Sequence, residues 1–504
     1  MDNEKMLLPE GWVRVNLPDF TDIVMGQSPP SETYNNKKEG LPFFQGKAEF
    51  DKKFPIAVKY CSKPVKIARK GATLLSVRAP VGPTNMAFEK CCIGRGLCAI
   101  HPLGKIPNNF VFWLFRCIES QLSSKGTGST FSAISKQYIE RLSFNLPPLN
   151  EQHRIVTKIE ELFSEIDKGV ESLQKANELL ILYRQSLLKH AFEGKLTEQW
   201  RKENPDKVIP ADELLEQIKQ ARESRYQQQL EEWESAVKLW ESEGKKGKKP
   251  SKPFRLNSAS LIKTEELNGL LNLPQDWLYV RLSEVAEIGS GQALSKSKKL
   301  GDPIEVSYLR VANVQRGKLV LDEIKTMQIE RCQLKKLELK QWDILFNEGG
   351  DRDKLGRGWI WESQIIPCIT QNHVFRATPY LESEAFSKLI SHWGNSFGQQ
   401  YFDAEGKQTT NLASINKTVL SNFPVPLLSK TEQIEIISQI DSCLSVIDKL
   451  DNDIELALTQ SATLKQSILK KAFSGQLVPQ DPNDEPASVL LERIKAEKAR
   501  AGCN

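Results

Sequence analysis

Residues 155–187 read IVTKIEELFSEIDKGVESLQKANELLILYRQSL, and residues 436–468 read IISQIDSCLSVIDKLDNDIELALTQSATLKQSI. From Ile155, alternating steps of four and three land on Ile159, Leu162, Ile166, Gly169, Leu173, Ala176, Leu180, Tyr183 and Leu187, with Gly169 the single miss. The same steps from Ile436 land on Ile440, Cys443, Ile447, Leu450, Ile454, Ala457, Ser461, Leu464 and Ile468, with Ser461 the single polar member. An apolar repeat of about 3.5 residues held over four heptads marks a seam between helices. A helix packed only on its own domain carries a wider apolar stripe, whereas here Lys158, Glu165 and Lys168 flank the seam. The sequence therefore predicts two long helices that pair with each other. The seam is assigned to Ile155, Ile159, Leu162, Ile166, Leu173, Leu180 and Leu187 on one helix. On the other it is assigned to Ile436, Ile440, Ile447, Leu450, Ile454, Leu464 and Ile468. Gly194 and Gly475 stand where a glycine just past the last turn would end each helix.

The two helices belong to a longer repeat. Ile134–Leu196 aligns with Ile415–Leu477 at a constant offset of 281 without a gap, and 20 of the 63 positions are identical. Glu151-Gln152 matches Glu432-Gln433, and Ala191-Phe192-x-Gly194-x-Leu196 matches Ala472-Phe473-x-Gly475-x-Leu477. Further on, Ala211-x-x-Leu214-Leu215-x-x-Ile218 is echoed by Ala487-x-x-Leu490-Leu491-x-x-Ile494. A weaker echo opens each half: Leu8-Pro9-Glu10-Gly11-Trp12 and Leu273-Pro274-Gln275-Asp276-Trp277, at an offset of 265. Between these markers the halves diverge. One unit is used twice, with a repeated connector and variable globular parts.

The globular parts read as mixed α/β with short strands. Thr73–Val77 and Asp343–Phe346 are apolar runs bounded by turn residues, and Trp12–Val15 and Trp277–Leu282 alternate as strands do. Phe110–Ile118 reads as a short buried helix, and Ala211–Trp240 as a longer one with Leu214, Leu215, Ile218, Leu230, Trp233 and Val237 on its apolar side. After it, Gly244–Arg255 holds Lys245, Lys246, Lys248, Lys249, Lys252 and Arg255 and no acid. The whole chain carries +5, so the remainder without these six is −1, and global charge alone does not indicate nucleic-acid binding. The linker is either a contact for DNA phosphates or a solubilising tether, and both stay open.

Composition excludes several classes. At 504 residues, two or more domains are expected, and 39% hydrophobic with 26% charged residues is neither disordered nor fibrous. No apolar run approaches the roughly 18 residues of a membrane helix. The start, Met1-Asp2-Asn3-Glu4-Lys5, is no export signal, so a soluble, cytoplasmic protein is expected. Cys91, Cys92, Cys98 and His101 lie near one another without a CxxC pair, and are expected to be buried small side chains rather than a metal site. Gly40 and Gly46-Lys47 miss the phosphate-loop spacing, and Ala48 stands where a hydroxyl is required. There is no GxGxxG after a strand, no Asn/Asp-Pro-Pro-aromatic tetrapeptide for a flipped base, and no HExxH. Asp322 with Glu338-x-Lys340 has nuclease-like residue types at a spacing that chance supplies freely. The chain reads as having no catalytic site and no bound metal or cofactor of its own.

Variable domains on matching helices resemble the specificity (S) subunits of type I restriction-modification systems. The resemblance spans the chain and is carried by four stretches, Leu146–Gln152, Ala191–Thr197, Leu75–Gly82 and Asn347–Arg357. One departure lies in Pro424–Gln433, where Leu428-Ser429 replaces a Pro-Pro pair. The resemblance implies an α/β (α+β) architecture: two target-recognition domains joined by two long helices in an antiparallel coiled coil, with an internal pseudo-twofold repeat. The expected division is 1–148 and 261–428 for the recognition domains and 149–196 and 429–477 for the spacer helices. Residues 197–260 are a connector helix with the basic linker, and 478–504 a tail helix. Each domain would read one half of an asymmetric bipartite target in double-stranded DNA, with the coiled coil setting the unread spacer. The implied partners are two modification subunits, which bind S-adenosylmethionine and methylate adenine, and two restriction subunits that use ATP and Mg2+.

Arg, Lys, Asn, Gln and small hydroxyls on loops after strands are the types that reach base edges and phosphates. In the first domain these are Gln45, Lys47, Arg78, Lys125, Thr127, Ser129 and Lys136. In the second they are Arg310, Asn313, Asn347, Arg352, Lys354, Arg357, Lys407, Gln408, Thr409 and Lys417. Two rival readings remain: a self-contained DNA methyltransferase or nuclease, which needs motifs not found here, and a structural coiled-coil adaptor, which leaves the diverged domains unexplained.

Overall fold

A computed structural model describes residues 8–125, 133–245, 249–253, 255, 262, 264–267, 270–294, 300–350, 354–408 and 413–501. They form two compact units, one running to Ala176 and resuming at Asn452, the other Asn177–Asp451. Both long helices are continuous, Leu149–Phe192 and Lys430–Phe473. Each unit therefore contains the beginning of one long helix and the end of the other.

In the first unit, strand Val13–Asn16 pairs antiparallel with Ser143–Leu146, so the chain entering the domain lies beside the chain leaving it for the helix. A four-stranded antiparallel sheet follows in the order Thr21–Met25, Leu97–Pro102, Thr73–Ser76, Thr84–Met86. Helix Asn108–Lys125 buries Phe110, Phe112 and Phe115 in the same core. A five-stranded sheet carries Leu41–Phe44 at its centre, parallel to Cys91–Ile93. The second unit repeats the frame: Leu278–Arg281 pairs with Pro424–Leu427, and a sheet runs Ala286–Ser290, Val374–Pro379, Ile344–Asn347. Lys325–Glu330, Pro303–Leu309 and Cys368–Thr370 form its counterpart outer sheet, the last two parallel.

The repeated motifs are the joints of this frame. Trp12 Nε1 donates to Glu151 Oε2 at 2.9 Å, and Trp277 Nε1 donates to Glu432 Oε2 at 3.0 Å. Gln152 Nε2 donates to Pro147 O and Gln433 Nε2 to Leu428 O, closing the turn before each helix. The carbonyl of Pro147 and that of Leu428 serve alike, which is why the Pro-Pro pair can be replaced in the second copy. All four Glu and Gln side chains are buried, so each hydrogen bond satisfies a group whose desolvation would otherwise cost about 1–3 kcal/mol.

The joints cross between copies. Gly194 and Gly475 have φ of +70° and +76°, and a Cβ there would lie 2.3 Å from Pro274 and 2.4 Å from Pro9. Lys195 N–H donates to His190 O and Gly194 N–H to Ala191 O, and the second copy repeats this with Gln476 to Lys471 and Gly475 to Ala472. This paired-bond ending requires a left-handed residue, which glycine adopts without strain. The proline opening one half thus seats on the glycine ending the other half's helix. Ala487 N–H donates to Gly11 O, as Ala211 N–H does to Asp276 O.

Cores follow the same exchange. The first unit buries Ile155, Val156, Ile159 and Phe163 from one helix with Ile468, Leu469 and Ala472 from the other, and Leu490, Leu491 and Ile494 from the tail helix. The second buries Ile436, Ile437 and Ile440 with Ala191, Phe192, Ala211, Leu214 and Ile218. Leu214 and Ile218, on the apolar side of the helix that starts at Ala211, fill the core of this unit.

Helix directions are fixed by matched ion pairs. Lys465 bonds Asp167 in the first unit, and Arg184 bonds Asp448 in the second. Asp167 and Asp448 are equivalent in the repeat, as are Arg184 and Lys465. Within the first unit Glu151 meets Gln480 and Asp167 meets Lys465, and within the second Arg184 meets Asp448 and Arg201 meets Glu432; in each the number of one partner rises as the other falls, so the helices run antiparallel in both units. Along the seam, Ile155, Ile159, Leu187, Ile436, Ile440, Ile447, Ile454 and Ile468 are buried, and Leu162, Ile166, Leu173 and Leu180 half-buried. Leu450 and Leu464 are not closed in: they stay 44% and 51% exposed. The reason lies opposite them. Gly169, at the level of Leu464, offers no side chain, and Tyr183, at the level of Leu450, is itself exposed.

Helix Ala211–Ser242 outruns its predicted end by two residues, and the linker folds back along it. Lys252 lies over Trp233, Lys245 and Lys249 over Trp240, and Arg255 over Tyr226, with ring distances of 5.6–6.0 Å. Trp233 Nε1 donates to Pro250 O at 3.1 Å. These residues are a packed return rather than a free tether; Lys246 and Lys248 lie outside the described residues.

Candidate nucleic-acid interface

In the first domain, loops after the strands converge on the turn Gly94-Arg95-Gly96. Gly94 N–H donates to Phe44 O, Val77 N–H to Gly96 O, Gln27 N–H to Ile93 O and Gly26 N–H to Leu97 O, all between 2.8 and 3.0 Å. Arg95 N–H reaches Ser28 Oγ at 3.3 Å. The turn thereby gathers Gln27 and Ser28, Gln45, and Arg78, with Ala133 bridged to Arg78. Gln27, Gln45, Lys47, Arg78 and Arg95 are exposed. Gln45 bonds the Tyr34 hydroxyl, whose pKa burial pushes up, with Arg95 near enough to pull it back.

The equivalent turn in the second domain is Gln371-Asn372-His373. Gln292 N–H donates to Thr370 O, Asn372 N–H to Gln292 O, Glu348 N–H to His373 O and Ile415 N–H to Glu348 O. His373 Nδ1 lies 2.7 Å from Glu348 Oε2 and its Nε2 lies 3.2 Å from Asn372 Nδ2. The same backbone construction presents Arg and Gln in one domain and Asn, His and Glu in the other.

Sequence-chosen residues fall into three groups. Gln45, Lys47 and Arg78 lie in the first cluster; Lys136 is exposed at the start of helix Lys136–Glu140, 3.5 Å from Glu140. Lys417 is exposed where Asn416 caps helix Lys417–Asn422. Lys354 and Arg357 are half-buried in the return that follows Asn347, and Lys407 and Gln408 form a strand beside Ala413–Ser414. The side chains of Lys125, Lys407 and Gln408, and residues Thr127, Ser129, Arg352 and Thr409, lie outside the described residues.

Two choices are corrected. Asn313 is buried and donates to Val320 O at 2.9 Å and Glu323 O at 3.1 Å. It also accepts from Arg310 Nε at 3.3 Å, and Arg310 Nη2 is spent on Glu323 O, so Arg310 is half-held as well. Asn347 is buried and donates to Val314 O at 2.9 Å. Both asparagines serve the backbone of neighbouring loops, an option open to a short amide that a loop position in sequence does not reveal.

Sequence reasoning missed Arg95, Gln27, Gln292, Asn372 and His373. A signal existed: Gly26-Gln27 and Gly291-Gln292 lie at the same 265 offset as the opening echo. A Cβ on Gly26 or Gly291 would meet a carbonyl oxygen of the opposing turn at 2.1 or 2.2 Å.

Cys91, Cys92, Cys98 and His101 are buried in strands. Burial pushes the Cys91 and Cys98 thiols up to about 12 and His101 down to about 4. Among the described residues, no three or more metal-ligating side chains come together, and no helix is long and apolar enough to cross a membrane.

A family model described as the type I restriction modification DNA specificity domain matches residues 9–176 and 274–460. The chain belongs to this family. A Methanocaldococcus jannaschii protein bearing the name type I restriction enzyme MjaX specificity subunit is 40% identical over 192 residues, 38% of this chain and 44% of that protein, so less than half of that relative is spanned. Over nearly full length, the Escherichia coli EcoDI specificity subunit is 24% identical across 98% of this chain and 97% of its own. The EcoKI specificity subunit of Escherichia coli is 24% identical with the same coverage. A crystal structure of the HsdS subunit from Thermoanaerobacter tengcongensis matches 35% of this chain and 42% of its own at 42% identity, with a TM-score of 0.31. The part of such a specificity chain in a type I system is DNA recognition rather than catalysis, and the two loop clusters sit one in each matched domain.

Proposed function

We propose that each specificity domain reads one half of an asymmetric two-part target in double-stranded DNA, and that the paired helices set the unread spacer and dock the modification subunits. One observation carries this reading: the same loop cluster is built twice on the same strands, with different side chains. Equal scaffolds place two readers alike; unequal side chains make the half-sites differ.

Docking is supported by apolar side chains left in the open on the helices. Leu179, Ile181, Leu182 and Tyr183 on one, and Val446, Leu450, Leu456 and Leu464 on the other, are exposed although each unit has a filled core. Large apolar side chains left exposed on a helix suit a surface that another protein covers. The resemblance assigns that cover to two modification subunits that bring S-adenosylmethionine and methylate adenine in each half-site. Two restriction subunits would complete the complex with ATP and Mg2+, and the whole would act on chromosomal and incoming DNA in the cytoplasm. This chain contributes recognition and holds none of those cofactors.

Methylation mapping of host DNA, with the chain present and then deleted, tests the reading. Disappearance of one two-part adenine motif with a fixed spacer is the expected result. Methylation or cleavage by the purified chain alone would favour a self-contained enzyme. Absence of sequence-selective binding by the complex with modification subunits would leave only an adaptor.

A further inference from the structure

We infer that Arg95 is a specificity-determining residue of the first domain, reading a guanine edge in that domain's half-site. The inference rests on the loops of the Gly94–Gly96 turn facing DNA, as proposed above, and adds which side chain does the reading.

The turn is closed in on its backbone and open at one side chain. Leu97 N–H closes it onto Gly94 O at 3.0 Å, and three neighbouring loops hold it through Phe44 O, Val77 N–H and Ser28 Oγ. A Cβ on Gly96 would lie 2.2 Å from Gln45 O, and one on Gly94 would press on the Phe43 ring at 3.3 Å. Gly96 is therefore held to glycine by close approach and Gly94 is tightly packed, and Arg95 projects, exposed, from between them. A guanidinium on a fixed base loses less freedom on binding than one on a loose loop. Its fork matches O6 and N7 of guanine in the major groove. Gln27 and Arg78, exposed on the adjoining loops, give it polar company on the same face.

The second domain supplies an internal contrast. Its equivalent turn is closed by the same kind of bonds, yet it presents Asn372, with His373 tied to Glu348. An arginine reader at this place thus belongs to the first half-site only.

The test uses the full chain in complex with its modification subunits, after the wild-type target has been mapped. Binding of the Arg95→Ala complex is measured against duplexes substituted one base pair at a time through both half-sites. Discrimination at one G·C pair of the first half-site should collapse, by roughly ten-fold or more, while every other position in both halves keeps its penalty. A phosphate contact behaves differently: all duplexes weaken by the same factor and the salt slope falls by about one. That outcome, or unchanged discrimination everywhere, overturns the inference. Should the Ala complex bind no duplex, Arg95→Lys is measured in the same way. A Lys complex that discriminates at that pair supports the inference, and an equally inactive one overturns it by making Arg95 structural. Absence of a two-part motif in the wild-type complex is a separate failure, of the underlying reading.

Discussion

At the scale of single residues, two buried histidines make the domains sensitive to acid. His392 is buried at the edge of the Trp359 ring, and burial depresses its pKa from 6.5 to about 4. His101 is held near the same value in the first domain. Each stays neutral in the folded chain and takes up a proton on unfolding at mildly acid pH, so the unfolded state binds more protons between those limits. The stability they permit is complete above about pH 7 and is lost as pH falls from 6.5 toward 4. From pH 7 to pH 5 one such group costs about 2 kcal/mol. His392→Phe keeps an aromatic ring against Trp359, so the variant should lose correspondingly less on acidification. Urea midpoints for both chains at the two pH values decide it, and parallel losses would refute the account. Neither burial was readable in advance. His101 follows three apolar positions of a strand, and His392 is one residue of a helix, so only tertiary packing distinguishes them from surface histidines. Asn313 and Asn347 are buried against backbone carbonyls for the same reason, because the loop that an amide side chain will serve, 33 residues away for Asn347, leaves no trace in a sequence. Conversely, Arg95 between two glycines was visible, but its meaning depends on Phe43, Gln45 and Val77 arriving from elsewhere in the chain.

At the scale of elements, the helices were legible because a 3.5-residue repeat and a terminal glycine are local properties. Their partners at each end were not. The alignment showed that Pro9 equals Pro274 and that Gly194 equals Gly475, yet not that Pro9 seats on Gly475 and Pro274 on Gly194. Burial along the seam is graded accordingly. Ile440 is fully buried in the second core and Leu450, ten residues on, is partly open. Ile440→Ala should cost about 2–5 kcal/mol through lost burial and the cavity left behind. Leu450→Ala should cost less, about 1–2 kcal/mol in the isolated chain, since 44% of that residue's surface stays in water. It should nonetheless weaken capture of the modification subunit, which on the reading above covers that stripe. Thermal unfolding and co-purification on the same two variants separate the effects. A strongly destabilised Leu450→Ala would show the seam to be closed at that level after all. The ion pairs Asp167–Lys465 and Asp448–Arg184 are exposed and orient the helices more than they stabilise them.

At the scale of the whole molecule, each unit is completed by the opposite end of the chain. The first core needs Ile468, Leu469 and Ala472, the Gly475 turn, and Leu490, Leu491 and Ile494. The first half of the chain contains an equivalent of every one: Leu187, Leu188 and Ala191, Gly194, and Leu214, Leu215 and Ile218. Arg184 likewise can stand for Lys465 opposite Asp167. A fragment of residues 1–242 should therefore not fold as a monomer, because its own domain would lack the buried side chains of Ile468, Leu469, Ala472, Ala487, Leu490, Leu491 and Ile494. Two copies can supply one another with these equivalents, Pro9 of each seating on Gly194 of the other, so the fragment should form a symmetric dimer. Such a dimer carries two copies of the first loop cluster and none of the second. With modification subunits it should methylate a palindrome made of the first half-site twice, because a twofold protein meets a twofold target. Light scattering on the fragment and methylation mapping in cells that express it check both parts. A folded monomer would show that the exchanged core is dispensable, and a dimer that still recognised the asymmetric target would place the second half-site's readout outside the second domain.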